Sequence, residues 1–555
     1  LITLVVTLFL VSTPIGTIDF QGNKTVSKGT LLREMLSREG DEYSEAAVGF
    51  DIEKIKRLYR TEGFFETEIA PNVQTADDEV TITFTISEGY RPRIERIDIH
   101  GGEERDLARY VKLERGDFFV ENKISETRHT IEEYYKERGF AYADVRSSAD
   151  PDSGILTFTV DRGLLHYVRA IDITGLKTCK ERVVRREIEL TEGELFSSKQ
   201  LRNSQRNIYN LGFFSTISAQ IVRSASDSVD IIFSVRELKS RVLNFGAGVS
   251  VPLGFLTSFA LEELNLFNQG HRFQIHPSFE INVDRNWETR LEFRYVIPNV
   301  TRHKLTFTFL PYVWYEQKTE FTRKTRGDEF WISKKFTDHL QGSAAHQYKR
   351  VDIREKVTLP DTIKGATNSV RLQLMADYRE EFFNPQTGVF LLPAVEYAGG
   401  VFGGDNDFLR FEIEGRFFIP ILKNVLAQRV KLGVLQPLNG VAVYEKFHLG
   451  GQYSLRGYSE RSVGPDSLGD EKYGNLLGNY NLEYRVALPA SLGLVGFFDL
   501  GYCDNEVFFE NSDYLKASAG LGLRYYSPIG PIRLDLGFPL TDPGYELYVG
   551  LYHIF

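Results

Sequence analysis

The chain has 555 residues, more than one ordinary hydrophobic core organises, so two or more domains are expected. Its 41 Phe, 28 Tyr and 47 Gly come with only 42% hydrophobic residues, which suits strands that alternate between two environments. A net charge of -10 gives no support to nucleic-acid binding, and no apolar stretch is long enough for a membrane-crossing helix, so any membrane crossing must be made by a barrel.

The sequence starts LITLVVTLFLVSTP, an apolar run too short to span a bilayer and similar to a signal-peptide core. Residues 1–14 are therefore read as a signal-peptide remnant, clipped of its Met and basic flank; a buried first strand is the alternative.

Three copies of one pattern follow, at 15–89, 90–163 and 164–238. Each opens on a strand-and-glycine signature: Ile18-Asp19-Phe20-Gln21-Gly22, Ile97-Asp98-Ile99-His100-Gly101 and Ile171-Asp172-Ile173-Thr174-Gly175. Each then has a helix-end signature around Tyr59 to Phe64, Tyr135 to Phe140 and Tyr209 to Phe213, and closes on an alternating strand: Thr81 to Glu88, Ile155 to Asp161, Asp230 to Arg236. Val48, Ile52, Ile55 and Tyr59 share one helical face before Gly63, as Val120, Ile124, Ile131 and Tyr135 do before Gly139. Each module is expected to be a strand, one or two helices and a hairpin, a small α+β unit with no catalytic constellation. The order resembles the POTRA (polypeptide-transport-associated) domain over residues 15–238. That resemblance implies a periplasmic arm whose sheet edges receive unfolded client chains by strand addition. Cys179 and Cys503, the only cysteines, are far apart, so neither a disulfide nor a metal site is expected.

From residue 239 to 555 helical periodicity gives way to alternating segments of about ten residues, the length of a membrane-crossing strand. In Arg410 to Ile419 the apolar Phe411, Ile413, Phe417 and Ile419 alternate with Glu412, Glu414 and Arg416, with Phe418 the exception; Ile532, Leu534, Leu536 and Phe538 alternate with Arg533, Asp535 and Gly537. A wall between lipid and a wet lumen satisfies both faces; a soluble β-sandwich would alternate similarly, and the length favours a transmembrane antiparallel β-barrel of sixteen strands. Tyr548, Gly550 and Phe555 fit an outer-membrane β-signal, with His553 in an apolar slot as a departure.

The segment Phe447 to Tyr458 contains Gly450-Gly451 and Leu455-Arg456-Gly457-Tyr458; Glu483 lies in Asn481 to Val486, Asp499 in Val495 to Gly501, and Ser527-Pro528-Ile529-Gly530-Pro531 separates the last strands. Together with the repeats, these motifs resemble the BamA/TamA superfamily of outer-membrane insertases and translocators. The resemblance implies that the Arg-Gly-aromatic tripeptide tips a loop folded into the lumen, with Arg456 meeting Asp499 and Glu483 as a brace or as a switch. A guanidinium in a confined lumen needs carboxylates, Gly457 allows close backbone approach and Tyr458 packs on the wall. The same resemblance implies a seam between the first strand, Arg241 to Val251, and the last, Tyr545 to Phe555, weakened by Gly246, Gly248 and Gly550. The function implied is an outer-membrane protein assembly factor that takes unfolded clients on the arm and inserts or translocates them through this seam. Its surroundings would be outer-membrane lipids and either periplasmic lipoproteins or an inner-membrane tether, according to a BamA-like or TamA-like role. A two-partner secretion transporter and a passive pore are the alternatives. No G-x-S-x-G elbow, zinc motif or phosphate loop is present, so neither enzyme activity nor a cofactor is expected.

Overall fold

The computed structural model describes residues 13–76, 79–101, 107–250, 254–282, 285–300, 304–355, 363–506, 512–527 and 530–555. The signal-peptide reading of 1–14 falls almost wholly outside the described residues, as do Val251, Pro528 and Ile529. The chain divides into two compact units. One runs up to Gly175 and includes 187–210 and 216–236; the other holds 176–186, 211–215 and everything from Glu237.

Within the repeats the strands are β1 (Ile15–Gln21), β2 (Glu68–Ala76), β3 (Glu79–Ser87), β4 (Arg96–His100), β5 (Asp144–Asp150), β6 (Ile155–Asp161), β7 (Tyr167–Thr174), β8 (Phe214–Arg223) and β9 (Ser228–Glu237). They form three sheets of one topology, β1-β3-β2, β4-β6-β5 and β7-β9-β8. In each, the opening strand pairs parallel with the closing one, while the last two form an antiparallel hairpin. The parallel pairing needs a crossover, which the helices provide. The alternation read from sequence reappears as burial: Val80, Ile82, Phe84 and Ile86 of β3 are in the core. Gly22, Gly101 and Gly175, the signature glycines, sit at φ +88°, +84° and +87°. A Cβ at these positions would overlap the carbonyl oxygens of Ile86, Val160 and Val235, so the turn requires glycine twice over.

The helix Glu45–Thr61 is started by Ser44, whose hydroxyl accepts from the Ala47 N–H, and is followed by Gly63 at φ +94°. It buries Val48, Asp51, Ile55 and Tyr59, with Ile52 only half-buried. Asp51 is on no apolar list, yet it is enclosed because its carboxylate accepts from the Leu36 and Ser37 N–H groups (2.5 and 3.2 Å). The same place holds Thr127 in the helix Glu121–Lys136, accepting from the Lys112 N–H (3.1 Å). In Ser198–Tyr209 it holds Ser204, accepting from the Glu189 N–H (2.8 Å). One buried polar residue thus tethers the incoming loop in every module. One expectation needs correction: Val120 is the N-cap residue of its helix, outside the helical face, and Phe119 is the buried neighbour. In the third module the helix is shorter, Ile208 takes the inward position and Tyr209 is 63% exposed.

In the second unit sixteen strands run from Arg241–Ser250 to Glu546–Leu551 in one sheet, each antiparallel to the next. This is the transmembrane β-barrel expected from the alternation. Phe411, Ile413, Ile532, Leu534 and Phe538 face outward, whereas Arg533 and Asp535 are fully enclosed. Glu412 and Glu414 meet Arg371 (2.9 Å) and Arg429 (3.0 Å) inside. The last strand is shorter than Tyr545 to Phe555. It ends at Leu551, and Tyr552 takes φ +65°, after which His553, Ile554 and Phe555 are buried. Their destination explains Phe418, the residue that broke the alternation: Phe418, Val425, Ala427, Ile554 and Phe555 form one cluster, with the two rings 6.3 Å apart. His553 fits its slot by placing Nε2 3.1 Å from Asn384 Oδ1.

At the end of β9, Glu237 gathers the Lys177 and Cys179 N–H groups (2.8 and 3.0 Å) and the Thr178 hydroxyl (2.7 Å). Burial pushes its carboxyl up, but these donors outweigh burial and hold it below the usual 4.5. The contact therefore contributes fully above the unfolded value and is lost as pH falls through the lower folded one. Protection of the amides at residues 177–179, taken relative to intrinsic exchange at each pH, is expected to fall below pH 4.5 in the wild type, and at neutral pH in Glu237→Ala. A second expectation concerns the signature glycine: Gly101→Ala should destabilise the second module by about 1–3 kcal/mol, read from urea-dependent exchange of β4 and β6 in the full chain.

Candidate functional site

Between the strands Asn424–Pro437 and Leu476–Leu488, which are hydrogen-bonded neighbours, the chain makes a long excursion that includes a short hairpin, Asp466–Leu468 with Glu471–Tyr473. Phe447, Leu449, Leu455, Tyr458 and Val463 of this loop are buried in one cluster with Ala398, Phe408, Leu435, Leu477 and Cys503 of the wall. The loop therefore folds back inside the barrel.

Arg456 is at its tip and is 0% exposed. Its guanidinium forks onto Asp499, Nε to Oδ2 at 2.8 Å and an Nη to Oδ1 at 2.9 Å, and the Arg456 backbone N–H also donates to Oδ2 (3.1 Å). The other Nη donates to Glu483 Oε1 (2.7 Å) and lies 3.5 Å from Asp535 Oδ2. The plane rests on the Phe497 ring, 3.5 Å from its centroid. Register makes this convergence possible. Asn481 faces Asp499 and Glu483 faces Phe497 across adjacent strands, so these side chains share the inner face. A second ring of cations completes the site. Arg485 pairs with Glu483 (2.8 Å), Arg524 with Asp535 (2.5 Å) and Arg533 with Asp535 (3.1 Å), all three buried.

Gly457 has φ +92° and lies against Gly537, Phe538 and Pro539, where a Cβ would stand 3.1–3.3 Å from the strand backbone. Its N–H donates to the Tyr548 hydroxyl (3.1 Å), which in turn donates to the Tyr458 carbonyl (2.8 Å). Tyr458 itself reaches Thr541 (2.7 Å) and Asp542 (3.0 Å). Asn479 and Asn481 donate to the Ser454 carbonyl (2.9 and 2.6 Å). Further along the loop, the buried Glu445 accepts from Lys349 (2.7 Å) and Thr367.

The structure thus brings together Leu455, Arg456, Gly457, Tyr458, Glu483, Asp499 and Tyr548. Gly550 has a packing reason for lacking a side chain, since a Cβ would lie 2.8 Å from Arg533 Nε; a Cβ at Gly246 would meet Ser258 Oγ at 2.6 Å, and Gly248 faces open space. Phe555 is away from the loop tip, in the Phe418 cluster, where Arg485 reaches its backbone oxygen (3.3 Å). Sequence reasoning missed Asp535, Arg485, Arg524, Arg533, Asn479, Asn481 and Phe497 as parts of the site. The signal for Arg533 and Asp535 was their position on the polar face of an alternating strand; what the sequence lacks is the register that points them at Arg456.

All neighbours in the sixteen-strand sheet are hydrogen-bonded, but among the described residues no such pairing joins Arg241–Ser250 to Glu546–Leu551. Leu243 and Phe245 on the first strand are widely exposed, Phe245 at 75%. No cluster of His, Cys, Asp and Glu suited to a metal occurs among the described residues.

Comparison with known proteins agrees with this layout. Residues 265–552 match the Omp85 superfamily domain, and 13–89, 92–163 and 166–238 each match the POTRA surface-antigen repeat. An outer membrane protein assembly factor BamA of Nitratidesulfovibrio vulgaris is 27% identical over 85% of this chain, which spans 62% of that protein's length. One of Neorickettsia risticii is 25% identical over 96% of this chain and 76% of its own. The solved BamA of Haemophilus ducreyi lacking POTRA domains 1–3 superposes with a TM-score of 0.67 at 20% identity, covering 84% of this chain and all of that one. CdiB of Acinetobacter baumannii gives 0.52 at 13% identity, covering 92% and all respectively. Those two likenesses speak for the fold alone.

Removing the guanidinium tests the anchor. In Arg456→Ala the three wall arginines still balance the three carboxylates, so the loss is that of the forked hydrogen bonds, about 3 kcal/mol, at the low end for breaking a buried pair. Protease sites within 446–465 should open in the folded barrel, and Arg456→Lys, which keeps charge without the fork, should open them partly. Unchanged protection in both variants would contradict the assignment.

Proposed function

Because the chain belongs to the Omp85 superfamily and carries three POTRA repeats, we propose that it is an outer-membrane protein assembly factor, which receives unfolded clients on the repeats and inserts them through the seam between the first and last barrel strands. The chain lies in the outer membrane with its repeats in the periplasm. The observation that carries the proposal is the seam left unpaired among the described residues: every other neighbouring pair of strands is hydrogen-bonded, and the tail after Leu551 turns inward instead of extending the last strand. An edge of unsatisfied backbone donors and acceptors at the membrane is costly unless another strand satisfies it, and a client strand is the natural one. Gly248, with open space where a side chain would be, adds backbone freedom at this edge. The relatives named as assembly factors support the same reading.

Arg456 supports it as a brace or as a switch: the loop ties to Glu483, Asp499 and, through Tyr548, to the last strand itself. Partners beyond the clients would be periplasmic lipoproteins in a BamA-like role and an inner-membrane tether in a TamA-like one. Depletion followed by measurement of porin levels separates them, broad porin loss indicating the former and loss of a few large clients the latter.

The seam is tested by locking it. One cysteine placed in Arg241–Ser250 and one in Glu546–Leu551, with the buried Cys179 and Cys503 left untouched, should abolish client assembly when oxidised and restore it on reduction. Full activity of the oxidised form would remove the basis for insertion through the seam.

A further inference from the structure

The three modules are alike enough that their differences can be read directly. In each, a turn reaches back to the outer edge of the opening strand and pairs with its start: Ile15 N–H to Asp41 O (2.8 Å), Ile94 N–H to Asp117 O (2.8 Å), Val168 N–H to Glu194 O (2.9 Å). Further along the first and third strands a carboxylate from the same turn caps the next outward amide. Ile18 N–H donates to Glu39 Oε1 and Ile171 N–H to Glu192 Oε1, both at 3.1 Å. In the second module the matching turn reads Arg115-Gly116-Asp117, where the others read Glu39-Gly40-Asp41 and Glu192-Gly193-Glu194. An arginine therefore takes the sequence position of the capping glutamate.

We propose that this outer edge of β4 is a docking edge for an extended acidic segment of a partner protein, one carboxylate of which takes the Ile97 amide and the Arg115 guanidinium together. The strand's own pairing orients the amide: Arg96 N–H donates inward to Gly154 O (3.2 Å), so by alternation Ile97 faces outward, as Ile18 and Ile171 do. No acceptor meets the Ile97 N–H among the described residues, and Ile97 is only half-buried where Ile18 and Ile171 are buried. Arg115 has 79% of its side chain exposed and, among the described residues, its one ion-pair partner is the exposed Glu95 at 3.1 Å, which leaves most of its donors to solvent. Arg93 adds a second guanidinium alongside, held on the Gly116 carbonyl (2.6 Å). The occupant's chemistry is given by the repeats themselves: an acceptor of negative charge meets this amide twice in the same chain, and here an arginine takes the capping glutamate's place in the turn. An extended backbone lets the partner also pair with the outward groups at Ile97 and Ile99.

The opposite edges do not single out one module in this way. β2 carries Pro71, which has no N–H to offer, and β5 has its Val145 amide covered by Glu132 (3.3 Å). The proposal stands on the repeats and does not depend on insertion through the barrel seam.

The test uses the full chain in detergent, an octapeptide of alternating Val and Glu, a Val and Lys control, and amide exchange resolved at Ile97, Ile18 and Ile171. Without peptide, Ile97 should exchange about fivefold faster than its two counterparts, the effect of one missing hydrogen bond. The acidic peptide should slow Ile97 and leave Ile18 and Ile171 unchanged. Arg115→Glu, which restores the cap, should slow Ile97 on its own and abolish the response to peptide. The reciprocal Glu39→Arg should expose Ile18 and make it responsive. Equal exchange at the three amides, protection by the lysine peptide, protection spread over β2, β5 and β8, or an undiminished response in Arg115→Glu would each overturn the proposal.

Discussion

A buried guanidinium must find carboxylates, and that requirement organises the barrel interior. Arg456 donates a fork to Asp499 and a third bond to Glu483, with Asp535 close by, all out of contact with solvent. Burying such charges is expensive, and only a nearly complete set of partners offsets the cost. The loop must therefore arrive in one position, which Gly457 permits by lying against Gly537. The arginines behind the carboxylates follow from the same constraint. Three acids facing one loop arginine would leave negative charge unbalanced; Arg485, Arg524 and Arg533 on the wall match the three acids one for one, and Arg456 adds a fourth guanidinium from the loop.

The loop also reaches the most weakly held part of the sheet. The Tyr548 hydroxyl links the Gly457 amide to the Tyr458 carbonyl, and Tyr548 lies on the strand with no hydrogen-bonded partner on its far side among the described residues. The inward turn after Leu551 exchanges possible strand pairing for burial of Ile554 and Phe555 against Phe418. A closed barrel abolishes edges; here the last strand is held from inside through Tyr548, while the tail packs on Phe418, Val425 and Ala427. The repeats manage their edges differently, with carboxylates at Glu39 and Glu192 and a proline in β2.

Much of this was legible in the sequence because it is periodic. Period-two alternation locates the walls, the recurring glycine locates the turns, and Arg456 with its two acids is signalled by motif. What was not legible depends on partners far along the chain. Asp51, Thr127 and Ser204 look like solvent-facing residues until the loop amides they accept from are seen. Phe418 looks like an error in the pattern until Phe555 arrives beside it. Asp535 required the strand register, and Val120 fitted the helical spacing but is the N-cap residue, a boundary that spacing alone does not mark. In each case the residue type was visible and the contact that gives it meaning was not.

The central claim, that clients enter at the seam, is most directly tested by a photo-crosslinking residue at Phe245, on the exposed edge of the first strand, during synthesis of outer-membrane barrel proteins. The same residue at Phe411, lipid-facing on a fully paired strand, serves as the reference. Insertion through the seam predicts client adducts at Phe245 and none at Phe411. Adducts at both positions alike, or at neither while assembly proceeds, would contradict it.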